Sequence, residues 1–448
     1  MDQSTTAIYC VVIQTAAGPL ALIRNDNTYQ LPVVHLPDSC WLPANAAMIN
    51  GDLMDEFGLN CTLLRWLEQY DDHNLVVMEW HPGSALPEID VEWVDPGKNA
   101  LPLPPAQLQM VRKWQESSSD GLAPWEKPGW MKNTVLSIIR VFDGQRLPQV
   151  TSLAQFKAAW GLSTLLLIGS SESEYYFKAG ARQGVDEWRI TKLLHQKFPQ
   201  YVSKPLLVDE QNGWMITRHV ENRDFSSLDH DSMGKAFRAY AEIQLDCVDF
   251  SDSDEMAGLM VRDAAWFRRH LEAVFSDASC PAEFSGPKSR LNQQQLATLR
   301  ETWLRQIDKL EASALPMSFN HEDLHVDNIL NTQTGPVFID WADCARSHPF
   351  FSMHRALRLW RGDDPDQVDL EKQIVTQAYL GAFSHLATSD QLSIEFDLTK
   401  RLSLLYQALR CLEVSREQMP DSPWGKHCFN RAARYMGDAM TRIEDSDA

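Results

Sequence analysis

Asp323, Asn328 and Asp340 are the residues of this 448-residue chain whose types and spacing best fit a chemical task. Asp323 and Asn328 are five positions apart, and Asn328 runs directly into the apolar pair Ile329 and Leu330. Asp340 closes the β-forming run Val337, Phe338 and Ile339. Between the two runs, residues 331–336 are turn formers, with Gly335 and Pro336 at their end. The segment therefore reads as loop, strand, turn, strand, and the hairpin returns Asp340 beside Asn328. An amide oxygen and a carboxylate held that close suit Mg²⁺, which takes one or two protein oxygens and completes its shell with phosphate oxygens and water. Asp323, just upstream, is placed to accept a proton from a hydroxyl. A base, a metal amide and a metal carboxylate are the protein's share of phosphoryl transfer.

The full pattern, His321-x-Asp323 with Asn328 five residues on and then Ile339-Asp340-Trp341, resembles the signature of the aminoglycoside phosphotransferase / choline kinase-like family. The resemblance includes the run 347–351 and extends back to about Trp125. It implies an α+β, two-lobed protein-kinase-like fold, with a small β-rich lobe and a large helical lobe. The implied activity is ATP- and Mg²⁺-dependent phosphorylation of a hydroxyl on a small molecule, with Asp323 as catalytic base and Asn328 and Asp340 as metal ligands. Two positions depart from the family, which commonly has Gly where this chain has Glu322 and Asp327. Both add negative charge beside the metal site, and the sequence leaves open whether they face solvent or alter substrate selection. The resemblance also makes His321 and His325 scaffold rather than catalysts.

The elements that must position these residues can be followed along the chain. Residues 7–23 read as a β-hairpin turning at 16–18, residues 44–57 as a helix with Gly58 as its cap, and residues 61–67 and 75–80 as strands. Residues 52–59 resemble the tail of a nudix box, but Gly51 replaces its Arg, Pro37 and Pro43 fall on its upstream Gly and Glu, and Asp52 and Asp55 shorten two of its acids. A shorter acid draws its oxygens back from a tight Mg²⁺ shell, so residues 1–117 are expected to be a nudix-like α+β domain without catalysis. The segment 82–105 is rich in Pro, Gly and acids. A linker is expected at 118–128, a kinase-like small lobe at 129–222 and a helical lobe at 223–448. Residues 164–168 and 175–179 read as strands around a turn. Lys178 is the sole charge in the second strand after Glu174, and a helix over 185–198 follows with Glu187 in its first turn. By itself Lys178 would read as an exposed strand lysine. The resemblance makes it the lysine on the α/β phosphates, with Glu187 holding it. It likewise makes the strand near Trp214 the hinge, with Thr217, His219 and Val220 at the nucleotide's edge. Helices are expected at 232–247, 293–315, 353–360, 367–386, 389–416 and 424–443, the second striped by Leu296, Leu299, Trp303, Ile307 and Leu310.

Composition narrows the partners. A formal net charge of −20 argues against a protein that reads a nucleic-acid backbone and is compatible with a cationic small substrate. Acids are dense over 246–255 and 363–366, and Trp266, Trp303 and Trp360 sit on helical segments. These could hold a cation by charge or by an aromatic cage; solvated loops and core packing are the plainer readings. The 8 Cys form no metal-type pair, and no apolar stretch approaches the ~18 residues that span a bilayer. A cytoplasmic, soluble enzyme is expected. Two other functions compete: a nucleotide-binding pseudokinase that presents its first domain to a partner, and a nudix-type diphosphate hydrolase. Antibiotic, sugar, amino alcohol and nucleoside acceptors all fit the reading.

Overall fold

The computed structural model describes residues 6–15, 18–25, 28–37, 46–69, 74–81, 91–97, 101–117, 121–159, 161–180, 186–221, 225, 228–249, 256–276, 293–360, 362–420 and 422–444. The expected turn residues 16 and 17, Pro43, half of the Pro-rich segment, connector residues 118–120, the helix start at 185 and the acids at 250–255 lie outside them. The chain divides into two units. One takes Met1–Ala181 with Leu206–His219, and the other takes Arg182–Pro205 with Val220–Ala448.

The first unit is built on two sheets. β1 (Thr6–Gln14), β2 (Leu20–Asn25), β3 (Thr28–Gln30), β4 (Val33–Pro37), β5 (Cys61–Gln69), β6 (Asn74–Trp80) and β7 (Val91–Val94) form a seven-stranded sheet. β1 and β6 pair in parallel at its centre, and both are buried as nearly continuous apolar runs. Helix α1 (Ala46–Phe57) buries Ala46, Ile49 and Leu53. It ends at Gly58, whose φ of +66° lets Gly58 N and Leu59 N donate back to Met54 O and Leu53 O. Helix α2 (Pro105–Glu116) packs Met110 and Val111 against the same core as Val12, Leu22 and Val77.

In the second sheet, β8 (Val150–Ala159), β9 (Ser163–Ser170), β10 (Glu174–Gly180), β12 (Trp214–Arg218) and β11 (Pro205–Asp209) follow in that spatial order. Helix α3 (Trp130–Gly144) shares a core with it through Ile138, Phe142, Leu166, Ile168, Tyr175 and Phe177. One buried side chain ties the two sheets. Gln155 of β8 accepts from Leu63 N at 2.8 Å and donates to Leu63 O at 2.9 Å, so its amide mimics a strand partner for β5. Asn50 of α1 also donates to Gln155, and Trp66 Nε1 donates to Ala158 O.

The second unit is helical: α4 (Glu187–Lys197), α5 (His230–Asp246), α6 (Ala264–Ser276), α7 (Gln293–Glu311), α8 (Phe350–Arg358), α9 (Pro365–Ala382), α10 (Ser389–Glu413) and α11 (Pro423–Glu444). The expected acid cluster at 363–366 has a structural task, since Asp364 caps α9 by accepting from Asp366 N and Gln367 N. Trp266, Trp303 and Trp360 are all buried, and the Trp266 ring already carries the Arg262 guanidinium 5.8 Å from its centroid, so none of them is open to a substrate cation. A small sheet that the sequence pattern had not suggested joins β13 (Met260–Arg262), β17 (Ala345–Ser347) and β14 (Ser318–Asn320). The expected hairpin is β15 (Ile329–Thr332) with β16 (Gly335–Phe338), pairing Ile329 with Phe338.

Candidate active site

β14 delivers the chain into the loop that carries Asp323, and Asn320 anchors that entry. Its Nδ2 donates to Ser347 Oγ at 2.9 Å and to His348 O at 3.1 Å, and its Oδ1 accepts from Gln244 Nε2 and Ser352 Oγ. A buried Asn with both ends of its amide engaged holds strand, loop and the start of α8 in one register. His321 follows, fully buried. Its N–H donates to Tyr240 Oη, its Nε2–H donates to Ile339 O at 2.8 Å, and its ring lies 4.5 Å from that of Trp341. Burial lowers its pKa, so the imidazole is neutral and serves as a strut from the Asp323 loop to the residue before Asp340.

The hairpin holds the backbone before Asp340 against Asn328, and Asn328 against the Asp323 loop. Asn328 Nδ2 donates to the Asp323 backbone O at 2.9 Å, and Ile339 N donates to Asn328 O at 3.1 Å. The first bond orients the Asn328 amide by its nitrogen and leaves its oxygen, the atom a hard cation takes, as the other end of the group. Asp340 sits in left-handed backbone, at φ 66° and ψ 58°, where the hairpin gives way to a 3₁₀ turn over Trp341–Asp343. Non-glycine residues rarely hold that conformation, and they concentrate where a side chain must be aimed against local preference. Among the described residues only Arg146, Glu322 and Asp340 do so, and two of these three belong to this site.

Asp323 is charged under most conditions. Burial by itself would raise its pKa, but the neighbouring His325 imidazole and the Arg355 guanidinium hold the carboxyl well below its ordinary value. Arg355 Nε and Nη2 lie 3.1 and 2.7 Å from Asp323 Oδ1. His325 stands 3.6 Å from Asp323 Oδ2 and 3.3 Å from Asp327 Oδ2. Burial would lower the His325 pKa, but these two acids overcome it and raise it to about 9. Asp327 is 76% exposed.

Glu322 does not face solvent. It keeps the backbone a glycine would favour, at φ 67°, yet its side chain is 1% exposed. Its carboxylate accepts from Tyr406 Oη and lies 3.5 Å from both Arg262 Nη1 and Arg410 Nε. Arg410 also donates to Glu322 O and to Asp343 Oδ2, and Arg262 to Glu413 Oε2. The glutamate thus fastens the catalytic-type loop to α10 from the inside.

Of the nucleotide-side residues, Lys178 lies on β10, paired with Leu165 and Met215. Glu187 opens α4 in the second unit. Thr217 is on β12 opposite Tyr176. His219 continues that pairing by donating its N–H to Glu174 O, while its Nδ1 lies 3.0 Å from Glu174 Oε2. Val220 is the first residue past the division between the units.

Sequence reasoning missed Arg355, Arg358, Arg431 and Tyr435. The i, i+3 spacing of Arg355 and Arg358 and the i, i+4 spacing of Arg431 and Tyr435 were visible, but helical spacing alone assigns no partner.

Residues 173–383 match the family model described as "Phosphotransferase enzyme family". No curated protein matches the chain. Among solved structures, the choline kinase of Streptococcus pneumoniae is 15% identical, over 68% of this chain and 99% of its own, with a TM-score of 0.42. An ethanolamine kinase of Plasmodium vivax is 12% identical, over 75% and 95%, at 0.47. A macrolide 2'-phosphotransferase of Brachybacterium faecium is 12% identical, over 68% and 98%, at 0.44. The Asp323 loop, the hairpin behind it and Lys178 all fall inside the matched segment.

Proposed function

We propose that the protein transfers the γ-phosphoryl group of ATP to a hydroxyl of a small molecule. The observation that supports this is a pair of hydrogen bonds, Asn328 Nδ2 to Asp323 O and Ile339 N to Asn328 O, which tie Asn328 to Asp323 and to the residue before Asp340. Asp323 accepts the acceptor hydroxyl's hydrogen bond and orients its oxygen for in-line attack. A carboxylate with so low a pKa is a weak proton acceptor, but phosphoryl transfer through a loose transition state asks for positioning before base strength. Asn328 and Asp340 are the ligands for Mg²⁺, which would neutralise charge on the transferring phosphate. Lys178 is assigned to the α/β phosphates with Glu187 to hold it, and Thr217, His219 and Val220 to the adenine edge. Residues 1–117 are read as a non-catalytic partner of the second sheet, a role supported by the Gln155 amide bridge.

The test is consumption of Mg²⁺-ATP across a panel of hydroxyl compounds, with Asp323→Asn in parallel. Acceptor-dependent turnover in the native chain, lost in the variant, is expected. Turnover equal in the two proteins would refute the assignment of Asp323, and tight ATP binding without transfer to any acceptor would refute the kinase reading.

A further inference from the structure

We propose that the acceptor carries an oxyanion, a carboxylate or a phosphate, bound by Arg355, Arg358 and Arg431 while its hydroxyl is presented to Asp323. The inference deepens the kinase reading and rests on Asp323 as the group that receives the hydroxyl. Three guanidinium groups converge on one phenol. Arg358 Nη2 is 2.7 Å from Tyr435 Oη, Arg431 Nη2 is 3.0 Å away and Arg355 Nη1 is 3.5 Å away. The Arg358 guanidinium also lies over the Tyr435 ring, 4.3 Å from its centroid.

The charges here do not balance. Arg355 has the Asp323 carboxylate, but among the described residues Arg358 and Arg431 hydrogen-bond only to Tyr435 and pair with no carboxylate. Arg431 faces the Cys411 thiol, whose pKa is lowered to about 6, first by the Cys428 hydrogen bond and then by the nearby arginines. Arg358 is left with the Tyr435 phenol and no carboxylate among the described residues, in a chain with 61 acids against 41 basic residues. Like charges at this spacing repel, and a neutral phenol offsets little of that; an anion would offset it directly. The effect of the cluster can be read in Tyr435 itself. Burial would raise its pKa, but Arg431, Arg355 and Arg358 pull it down to about 8. The locus thus favours negative charge strongly enough to acidify a phenol. The planar forks of arginine match the paired oxygens of carboxylate and phosphate.

Position sets the kind of molecule. Arg355 touches Asp323 with one edge of its guanidinium and turns the other towards Tyr435. The anion locus and the hydroxyl locus are therefore one guanidinium apart. That suits an acceptor whose hydroxyl and anion are joined by a short carbon skeleton, such as a hydroxy acid or a sugar phosphate. It runs against the cationic substrate that the overall acidity of the chain suggested.

The experiment compares kcat/KM of the full chain, with Mg²⁺-ATP, on two matched series. One is glycerol, glycerate, glycerol 3-phosphate and choline; the other is glucose, gluconate, glucose 6-phosphate and glucosamine. The anionic members should lead each series, and whichever of carboxylate or phosphate leads names the class. Arg358→Gln and Arg431→Gln should cut the preference for the anionic member over its neutral partner at least tenfold, chiefly through KM, and Arg358→Lys should restore part of it. Leading turnover of neutral or cationic members would overturn the proposal and leave the kinase reading standing. So would an equal fall in kcat for every acceptor in the arginine variants, which would place these arginines on the transferring phosphoryl group. Calorimetry of gluconate and glucose 6-phosphate with Asp323→Asn covers the case of no turnover. Binding that is lost on adding Arg358→Gln would uphold the anion site and count against the kinase reading; no binding of either anion would overturn the anion site.

Discussion

Replacing Glu322 by glycine, the residue that the resembling family commonly carries there, should weaken this protein rather than repair it. The backbone argument favours glycine, because a side chain at φ 67° costs about 1 kcal/mol that glycine would not. The side-chain argument opposes it. The substitution removes a buried charge-assisted hydrogen bond from Tyr406 Oη, worth ~1.5–3 kcal/mol. It also removes a carboxylate lying 3.5 Å from both Arg262 and Arg410, with side chains 4% and 13% exposed. Breaking a buried ion pair costs ~3–5 kcal/mol when the partner is left alone. Here Arg262 keeps Glu413 and Arg410 keeps Asp343, so only part of that applies. The expected net loss for Glu322→Gly is roughly 2–4 kcal/mol. Glu322→Gln keeps the volume and the strained backbone but loses the charge, and should fall between the two. Urea unfolding followed by circular dichroism checks the order: native, then Gln, then Gly in falling midpoint. A Gly variant that unfolds at the native urea concentration or above it would refute the reasoning, because strain relief would then outweigh everything the carboxylate does.

Asp340→Ala should abolish Mg²⁺-dependent turnover with the unfolding midpoint little changed; near-native turnover in the folded variant would remove Asp340 from the metal site. His354 predicts acid sensitivity: buried against Thr399 Oγ1, it has its pKa lowered from 6.5 to about 3, first by burial and then by the charges of His348 and Lys400. Between those values the unfolded chain binds a proton that the folded chain does not, so its contribution is whole above pH 6.5 and shrinks as pH falls, by about 1.4 kcal/mol per unit. Urea midpoints from pH 7 to pH 4.5 should show a slope that is shallower in His354→Gln, and identical slopes would rule this source out. For Tyr435, the KM for gluconate should rise above about pH 8, as the ionised phenol competes for the arginines, and Tyr435→Phe should flatten that rise. A native profile unchanged to pH 9.5 would remove Tyr435 from the anion locus.

Local pattern made a large part of the fold legible. The hairpin of β15 and β16, the strand of Lys178 and the stripe of α7 each announce themselves through a period of two or of three and four, or through turn residues at fixed offsets. Elements without such a signal were lost. β8 carries bulges between Val150 and Ser152 and between Gln155 and Lys157, which interrupt its alternation. β13, β14 and β17 are three residues each, too short for any period to show.

The sequence by itself determined which groups are candidates for the chemistry, because Asp323, Asn328 and Asp340 lie on one short segment whose turn chemistry is enough to return one strand against the other. Only the tertiary structure decided their surroundings. Arg355 comes from α8, Arg410 from α10, and Arg431 and Tyr435 from α11, so which charge faces Asp323 depends on how distant helices pack. The fate of Glu322 was settled in the same way: a lone acid in a loop reads as solvated until Arg262, Tyr406 and Arg410 are folded around it. Charge compensation acts through space over a few ångströms, while a motif records only separation along the chain.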